Sequence, residues 1–363
     1  KVKYKDYESY NEEIITNIET MDEYNVISNE NYSIITNQKG EGYSKYKNII
    51  INRYKQTADE AQGMFFYLKN ISDNRIWMAN YASFLDKPDK YNTVFSPDST
   101  KIVRQDGDIE ITANTTVDVE EPIEIRNLKI KNIGNREQIL EVTGSFEPII
   151  STQIQDISHP VFNDLFLRNE FENENIIIER RQRDKNAEKI FLATTLFTEN
   201  ETIGDIEYEL DKEKFFGRGN IQLPEMIKNS KPFSKIVGLI TEPIIALKRT
   251  LKVMPGEEVD LNLIIAVSDT KEKAQKYVNE YKNQAKIKKN FQLEKLKSME
   301  EIRYLGIKGT DTRDYKKLMS LLIVQNELKK NYIKNNNTYS QSDLWKFGIS
   351  GDLPIVLVKI KDL

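Results

Sequence analysis

Ile244-Ile-Ala-Leu-Lys-Arg-Thr-Leu-Lys-Val253 and Val259-Asp-Leu-Asn-Leu-Ile-Ile-Ala-Val267 lie on either side of Pro255-Gly256. Both runs are β-rich and of strand length, and Pro-Gly marks a turn between them. The same habit repeats upstream in Leu165–Phe171, Asn175–Arg181 and Lys189–Phe197, and before those in Gly63–Leu68, Tyr91–Phe95, Lys101–Arg104 and Asp108–Val117. Tyr24–Ser28 and Tyr32–Thr36 are joined through Asn29-Glu-Asn, a tight turn. Glu124–Asn132 and Glu137–Phe146 flank Ile133-Gly-Asn-Arg, whose Gly134 and Asn135 tolerate positive φ, so a long antiparallel hairpin is predicted there. Strands at turn-punctuated spacing with few helices between them favour stacked antiparallel sheets over an alternating α/β fold.

The two ends read differently. Ile14, Ile15, Ile18 and Met21 have helical spacing and predict a short amphipathic helix leading into the sheets. From Asp269-Thr-Lys-Glu, an N-cap signal, the chain turns helical. Ile287, Phe291, Leu296, Met299, Ile302 and Leu305 form one apolar face, and Leu318, Leu321, Leu322, Gln325 and Leu328 mark a second helix beyond Gly309. Asn335–Thr338 reads as a loop and Pro354–Ile360 as a last short strand, directly after which the chain stops, as expected of a part of a longer protein. The expected organisation is a helical lead-in over 1–22, one large β-sandwich over 23–268, a helical region over 269–340 and an extended segment with a terminal strand over 341–363.

Composition narrows the chemistry. The 363 residues contain no cysteine and one histidine, His159, which leaves no thiolate nucleophile, disulfide or Cys- or His-rich metal site. A net charge of -4 from 53 basic and 57 acidic side chains spread along the chain offers no basic stripe for nucleic acid. No apolar run is long enough to span a bilayer and the first residues lack a signal-peptide core, so a soluble segment without membrane contact of its own is expected. No internal repeat points to a solenoid or propeller.

Three ordered blocks, Asn29–Ser44, Ser158–Phe166 and Gln341–Leu357, resemble the glycosyltransferase family 36 sandwich region of cyclic β-1,2-glucan synthetases. Ile51–Tyr54, Phe66–Leu68, Val94–Ser96, Phe216–Asn220 and Glu242–Arg249 extend the likeness in the same order, over residues 24–363. The module is similar to that of glycoside hydrolase family 94, which holds inverting phosphorylases. The resemblance implies a galactose-mutarotase-like supersandwich, linker helices and, beyond them, a helical barrel carrying the general-acid aspartate and phosphate site. The barrel's signatures have no counterpart in this sequence, so no catalytic residue is carried over. Gly348–Ile355 resembles the first of the two sandwich copies in the synthetases.

Individual residues add candidates. Sugar binding uses aromatic faces beside hydrogen-bonding side chains, which singles out Tyr43, Tyr46, Trp77, Tyr81, Trp345 and Phe347, each of which core packing would also explain. Arg218 between Gly217 and Gly219 is a further candidate, since flanking glycines let a guanidinium reach paired hydroxyls or simply bond a turn. Asp352 either orients its own loop or contacts a neighbouring domain, and the interdomain role is preferred. Gly40–Ser44 lacks the setting of a phosphate loop and reads as a hairpin turn. Asp106 and Asp108 around Gly107 come nearest to a carboxylate pair, but read as a turn, and His159 has no partner nearby in sequence.

The expected function is a non-catalytic, carbohydrate-associated module that supports or guides β-glucan to a downstream phosphorylase-like barrel. It needs no cofactor, and its expected partners are an oligosaccharide, bound weakly, and other domains of the same polypeptide. The expected location is cytoplasmic, in a parent anchored in a bacterial inner membrane. The alternatives are the N-terminal part of a β-1,2-oligoglucan phosphorylase and an autonomous carbohydrate-binding module.

Overall fold

The computed structural model describes residues 13–15, 23–54, 63–81, 87–182, 189–307, 309–323, 340–352 and 355. The early strands are β1 (Glu13–Ile15), β2 (Tyr24–Ser28), β3 (Tyr32–Asn37), β4 (Gly42–Tyr46), β5 (Ile49–Asn52), β6 (Phe65–Asn70), β7 (Ile76–Met78), β8 (Lys90–Phe95), β9 (Thr100–Asp106), β10 (Ile109–Val117), β11 (Ile123–Asn132), β12 (Gln138–Phe146) and β13 (Pro148–Thr152). Two short helices follow, α1 (Gln153–Ser158) and α2 (Pro160–Asp164), then β14 (Leu167–Glu172), β15 (Asn175–Arg180), β16 (Ile190–Phe197) and β17 (Glu207–Asp211). Helices α3 (Lys212–Phe216) and α4 (Glu225–Lys228) precede β18 (Gly238–Leu239), β19 (Pro243–Val253) and β20 (Glu258–Ser268). The C-terminal helices are α5 (Lys271–Glu280), α6 (Gln284–Tyr304), α7 (Gly309–Ile323) and α8 (Ser342–Trp345).

The strands form a ten-stranded sheet in the order β1-β8-β9-β10-β11-β20-β16-β15-β14-β18 and two five-stranded sheets, β17-β19-β12-β6-β7 and β13-β5-β4-β3-β2. All named pairings are antiparallel, so the fold is a mainly β supersandwich followed by helices. The main core lies between the sheets: Leu128, Ile130, Leu261, Leu263 and Ile265 from the large sheet meet Leu68, Leu140, Val142, Leu247 and Leu251 from the first five-stranded sheet. Both sheets are also covered outside. Ile123, Ile125, Ile264 and Ala266 pack under Tyr277, Val278, Tyr281 and Ile287 of α5 and α6. Phe65, Tyr67, Ile244 and Ala246 pack under Phe215 of α3 and Met226 and Ile227 of α4. Strands buried on both faces carry unbroken apolar runs, which accounts for Leu-Ile-Ile-Ala-Val at 263–267.

The expected hairpin at Ile133-Gly-Asn-Arg does not form. β11 pairs with β10 and β20 in the large sheet, whereas β12 pairs with β19 and β6 in another. Gly134 does not use positive φ; its need is space, because a Cβ there would come within 2.5 Å of the Asp108 carboxylate. Pro255-Gly256 likewise links strands of different sheets. One side chain ties the two crossings: Asn132 Nδ2 donates to Arg136 O (2.7 Å) and Val253 O (3.0 Å), and its Oδ1 accepts from Gly134 N (3.0 Å). Its backbone pairs with Glu257 and Gly256.

At the N-terminus, the helix predicted from Ile14, Ile15, Ile18 and Met21 is contradicted where the chain is described: Glu13–Ile15 is a strand in register with Thr93–Phe95. Pairing with a ready sheet edge overrides a weak helical spacing there. Residues 335–338 and 356–360 lie outside the described residues. Helices α5 and α6 are separated by an N-cap at Asn283, whose side chain accepts from Lys286 N at 2.9 Å. The predicted apolar face of α6 is divided: Ile287 and Ile302 are buried, Leu296 and Leu305 are exposed, and Asn290, Glu294 and Ser298 take buried positions instead.

Candidate carbohydrate-binding cleft

Three turns, the end of β20 and the start of α5 meet at one end of the sandwich. Lys47, in left-handed backbone (φ 52°), bonds its N–H to Asn31 O at 2.8 Å and so fixes the β4–β5 turn to the β2–β3 turn. Asn29 then fastens these turns to the β10–β11 turn: its Oδ1 accepts from Asn31 N and Tyr32 N, while Nδ2 donates to Asp118 O (2.7 Å) and Glu121 O (2.8 Å). Val267 N bonds Pro122 O, which brings in the end of β20. Thr270 caps α5 by accepting from Lys273 N at 3.3 Å.

The cleft these segments enclose is about 500 Å³, the scale of a small-ligand site. It is lined by Asn31, Tyr46, Lys47, Glu121, Lys189, Asp269 and Lys273 with a floor of Pro122, Ile190 and Val267. The half-buried Tyr46 ring has the Lys47 ammonium 5.2 Å from its centre. The Ser268 hydroxyl, backbone N–H donation and the nearby Lys273 and Lys47 hold the Asp269 carboxyl below its usual range. Burial and then the Glu121 carboxylate raise Tyr277, whose hydroxyl bonds Glu121. Three ammonium groups, two carboxylates, a carboxamide and a phenol ring can bind and orient hydroxyls. Among the described residues, no group of three His, Cys, Asp or Glu side chains is placed to hold a metal.

Of the sequence candidates, Tyr46 alone lines this cleft. Tyr43 stacks on Tyr54 at 5.6 Å in a satellite cluster with Tyr24 and Ile35. Trp77 must be corrected: it is 2% exposed, with Arg75 over its ring, so its faces pack in the core and cannot meet a sugar. Tyr81 packs edge-on to Tyr91. Arg218 lies in an open groove between α3 and α4. Its neighbours explain its glycines: a Cβ on Gly217 would meet Glu225 Oε2 at 2.4 Å, and one on Gly219 would meet Leu223 O at 2.4 Å. Trp345 and Phe347 are 63% and 70% exposed, and Trp345 Nε1 donates to Ser350 O at 3.2 Å. Asp352 accepts from Gln341 Nε2 at 2.8 Å, a bond within its own segment.

The carboxylate candidates resolve structurally. Asp106 is buried in a two-point pair with Arg104 (2.6 and 2.9 Å), and Gly107 (φ 58°) turns β9 into β10. His159 is exposed between α1 and α2. The sequence reading missed Asn31, Lys47, Glu121, Lys189, Asp269 and Lys273 as a group, because they come from separate turns and each reads alone as a solvated surface residue.

One further concentration of charge is internal. Arg53 bonds Glu147 (3.0 Å), Asp156 (2.9 Å) and Asp164 (3.1 Å), and Lys212 adds a second cation on Glu147 at 2.8 Å. Burial pushes Asp164 up to about 6 against the pull of Arg53. The adjoining cavity, bounded by Arg53, Tyr67 and Phe216, is about 20 Å³, room for roughly one water and not for a sugar ring.

Large antiparallel sheets packed face to face and followed by helices make the architecture of a supersandwich domain. The chain matches the glycosyl hydrolase 94 supersandwich domain over residues 11–284 and belongs to that family. It is 24% identical over 343 residues to the cyclic β-(1,2)-glucan synthase NdvB of Rhizobium meliloti (strain 1021), covering 93% of this chain and 12% of the synthase. Solved structures that it resembles include a bacterial glucoamylase complexed with acarbose (TM-score 0.41, 11% identity, 78% of this chain and 40% of that one). Another is described as an aldose 1-epimerase from Escherichia coli K12 (TM-score 0.36, 9% identity, 68% of this chain and 98% of that one). No helix among the described residues is long and apolar enough to cross a membrane.

Proposed function

We propose that this chain is a non-catalytic module of a glucan synthase-like or phosphorylase-like polypeptide, and that it guides a β-1,2-linked glucan toward a catalytic barrel elsewhere in that polypeptide. The observation that carries the reading is the cleft beside α5, where Tyr46 and the polar ring around it stand at the junction of sandwich and linker helices. A glucan held there lies against the segment that leads out of the sandwich. The cleft's open, charged lining favours a hydroxyl-rich chain held weakly, as a passing polymer requires. The parent is proposed to work on the cytoplasmic face of a bacterial inner membrane. Asp352 is proposed to contact a neighbouring domain in addition to Gln341.

Isothermal titration of the chain with linear and cyclic β-1,2-glucans, with cellobiose and maltose as controls, tests the proposal. Selective binding with a Kd of roughly 1 mM is expected. The Lys189→Ala/Lys273→Ala variant should weaken it several-fold without changing the melting temperature. Absence of binding, or equal binding of maltose, leaves a purely supporting role for the sandwich.

A further inference from the structure

The β10–β11 turn, which carries Glu121 into the cleft, is gripped from behind by α6. Asn290 Nδ2 donates to Val117 O at 2.8 Å, and Lys297 Nζ donates to Val119 O at 2.9 Å. Tyr281, just ahead of the helix, bonds both Asp118 and Asn290 Oδ1, so turn and grip share one network. On the cleft side Asn29 holds Asp118 O and Glu121 O. Glu294 stands on α6 between the two gripping side chains, four residues after Asn290 and three before Lys297. It is 2% exposed, and its Oε1 has no hydrogen-bond partner among the described residues. The charges that face it are Lys297 and Glu301 of its own helix, Asp98 of the β8–β9 turn and Asp118 of the β10–β11 turn. Among the described residues, one cation thus stands against three carboxylates, and that cation already serves Val119.

We infer that α6 is a pH-sensitive clamp on the β10–β11 turn, closed while Glu294 is protonated and loosened when it ionises. Its bearing on glucan rests on the reading of the cleft given above. Protonated, Glu294 is a neutral group in a buried seat and leaves Lys297 on Val119. Ionised, it is a buried anion facing Asp98 and Asp118, with Lys297 3.8 Å from its Oε1, and a buried charge so poorly paired is costly. Two movements relieve it. Lys297 leaves Val119 O for the carboxylate, or this part of α6 lifts until Glu294 reaches water, and either one removes a hold on the turn. The sign follows from burial and the facing carboxylates, which raise the pKa of Glu294: the closed form is favoured at low pH and loses that advantage as pH rises through neutrality. With the clamp loosened, Glu121 keeps the Asn29 bonds on one side and loses its backing on the other, so glucan in the cleft is held more firmly at pH 6 than at pH 8.

Hydrogen exchange of the whole chain without glucan, read by mass spectrometry at pH 6 and pH 8 and corrected for the intrinsic rate, tests the clamp. Peptides covering residues 290–302 should lose about ten-fold in protection between the two, the factor for a carboxyl that titrates at about 7 when closed and 4.5 when open. Peptides from β12 and β19 should keep theirs, and Glu294→Gln should remove the difference in α6. Equal protection of α6 at both pH values in the parent, or the same loss in Glu294→Gln, overturns the inference. No glucan is present in this experiment, so a failed clamp and a failed sugar site are separate results.

Discussion

Two helical segments are fastened to the sandwich in opposite ways. The α1–α2 segment is held by charge: Arg53 reaches Asp156, Asp164 and Glu147 from a strand end, and the apolar residues turn outward. The α5–α6 segment is held by apolar packing of Ala274, Tyr277, Val278, Tyr281 and Ile287 on the outer face of the large sheet, with tyrosine hydroxyls bonded to Glu121 and Asp118. The α5–α6 segment buries its apolar face and stabilises the sheet beneath it, whereas α1–α2 is oriented by buried ions and leaves its apolar side chains exposed.

Replacing Arg53 with Ala should be the most damaging single change, because it leaves buried carboxylates without their cation at a cost of about 3–5 kcal/mol. Urea unfolding at pH 7 should show that loss, and repeating it at pH 5 should show a smaller one, since Asp164 titrates near 6 and then carries a proton. An equal loss at both pH values would mean that packing, not charge, holds the segment. On the α5–α6 side, Ile287→Ala should cost about 2–4 kcal/mol with no pH dependence, as a cavity under a cover predicts. Tyr281→Phe removes one hydroxyl bonded to Asp118 and should cost about 1–2 kcal/mol in the same assay.

The effect that inverts the sign belongs to Glu294 of α6. It is buried, its Oε1 makes no hydrogen bond, and Lys297 stands 3.8 Å away. Burial first, with Lys297 opposing and Asp98, Glu301 and Asp118 adding, pushes it from the ordinary 4.5 to about 7. A carboxyl with a raised folded-state pKa binds its proton more tightly when folded, so its effect favours folding below about pH 4.5 and is lost as pH rises through 7. Glu294→Gln should therefore melt higher than the parent at pH 8, with the difference shrinking to nothing near pH 5. A lower melting temperature for the variant at pH 8 would show that the Lys297 pair outweighs desolvation.

Strands were legible and partners were not. The β2–β3 turn was readable because Asn29 both forms the turn and bonds within it. Ile133-Gly-Asn-Arg looks equally like a hairpin turn, yet β11 and β12 part there. Both strands are buried on two faces, so neither carries the alternation that would tell which face meets which neighbour. The inside-out character of α1–α2 was hidden because Arg53 lies about a hundred residues upstream of its acids. The cleft was hidden for a similar reason: its charged residues come from turns that only the closed sandwich brings together. Trp77 misled because an aromatic in a strand reads alike whether it faces ligand or core.

The twin crossings tied by Asn132 bear on how the chain is made. β19 and β20 are inner strands, β19 lying between β17 and β12 and β20 between β11 and β16. Both are among the last strands to leave a ribosome, emerging more than a hundred residues after the β11 and β12 they must join. Until residue 253 is free the first five-stranded sheet lacks the strand that joins β12 to β17, and until residue 268 is free the large sheet lacks the one that joins β11 to β16. Each half of the sandwich is therefore expected to close only late in synthesis, the five-stranded sheet with β19 and the large sheet with β20.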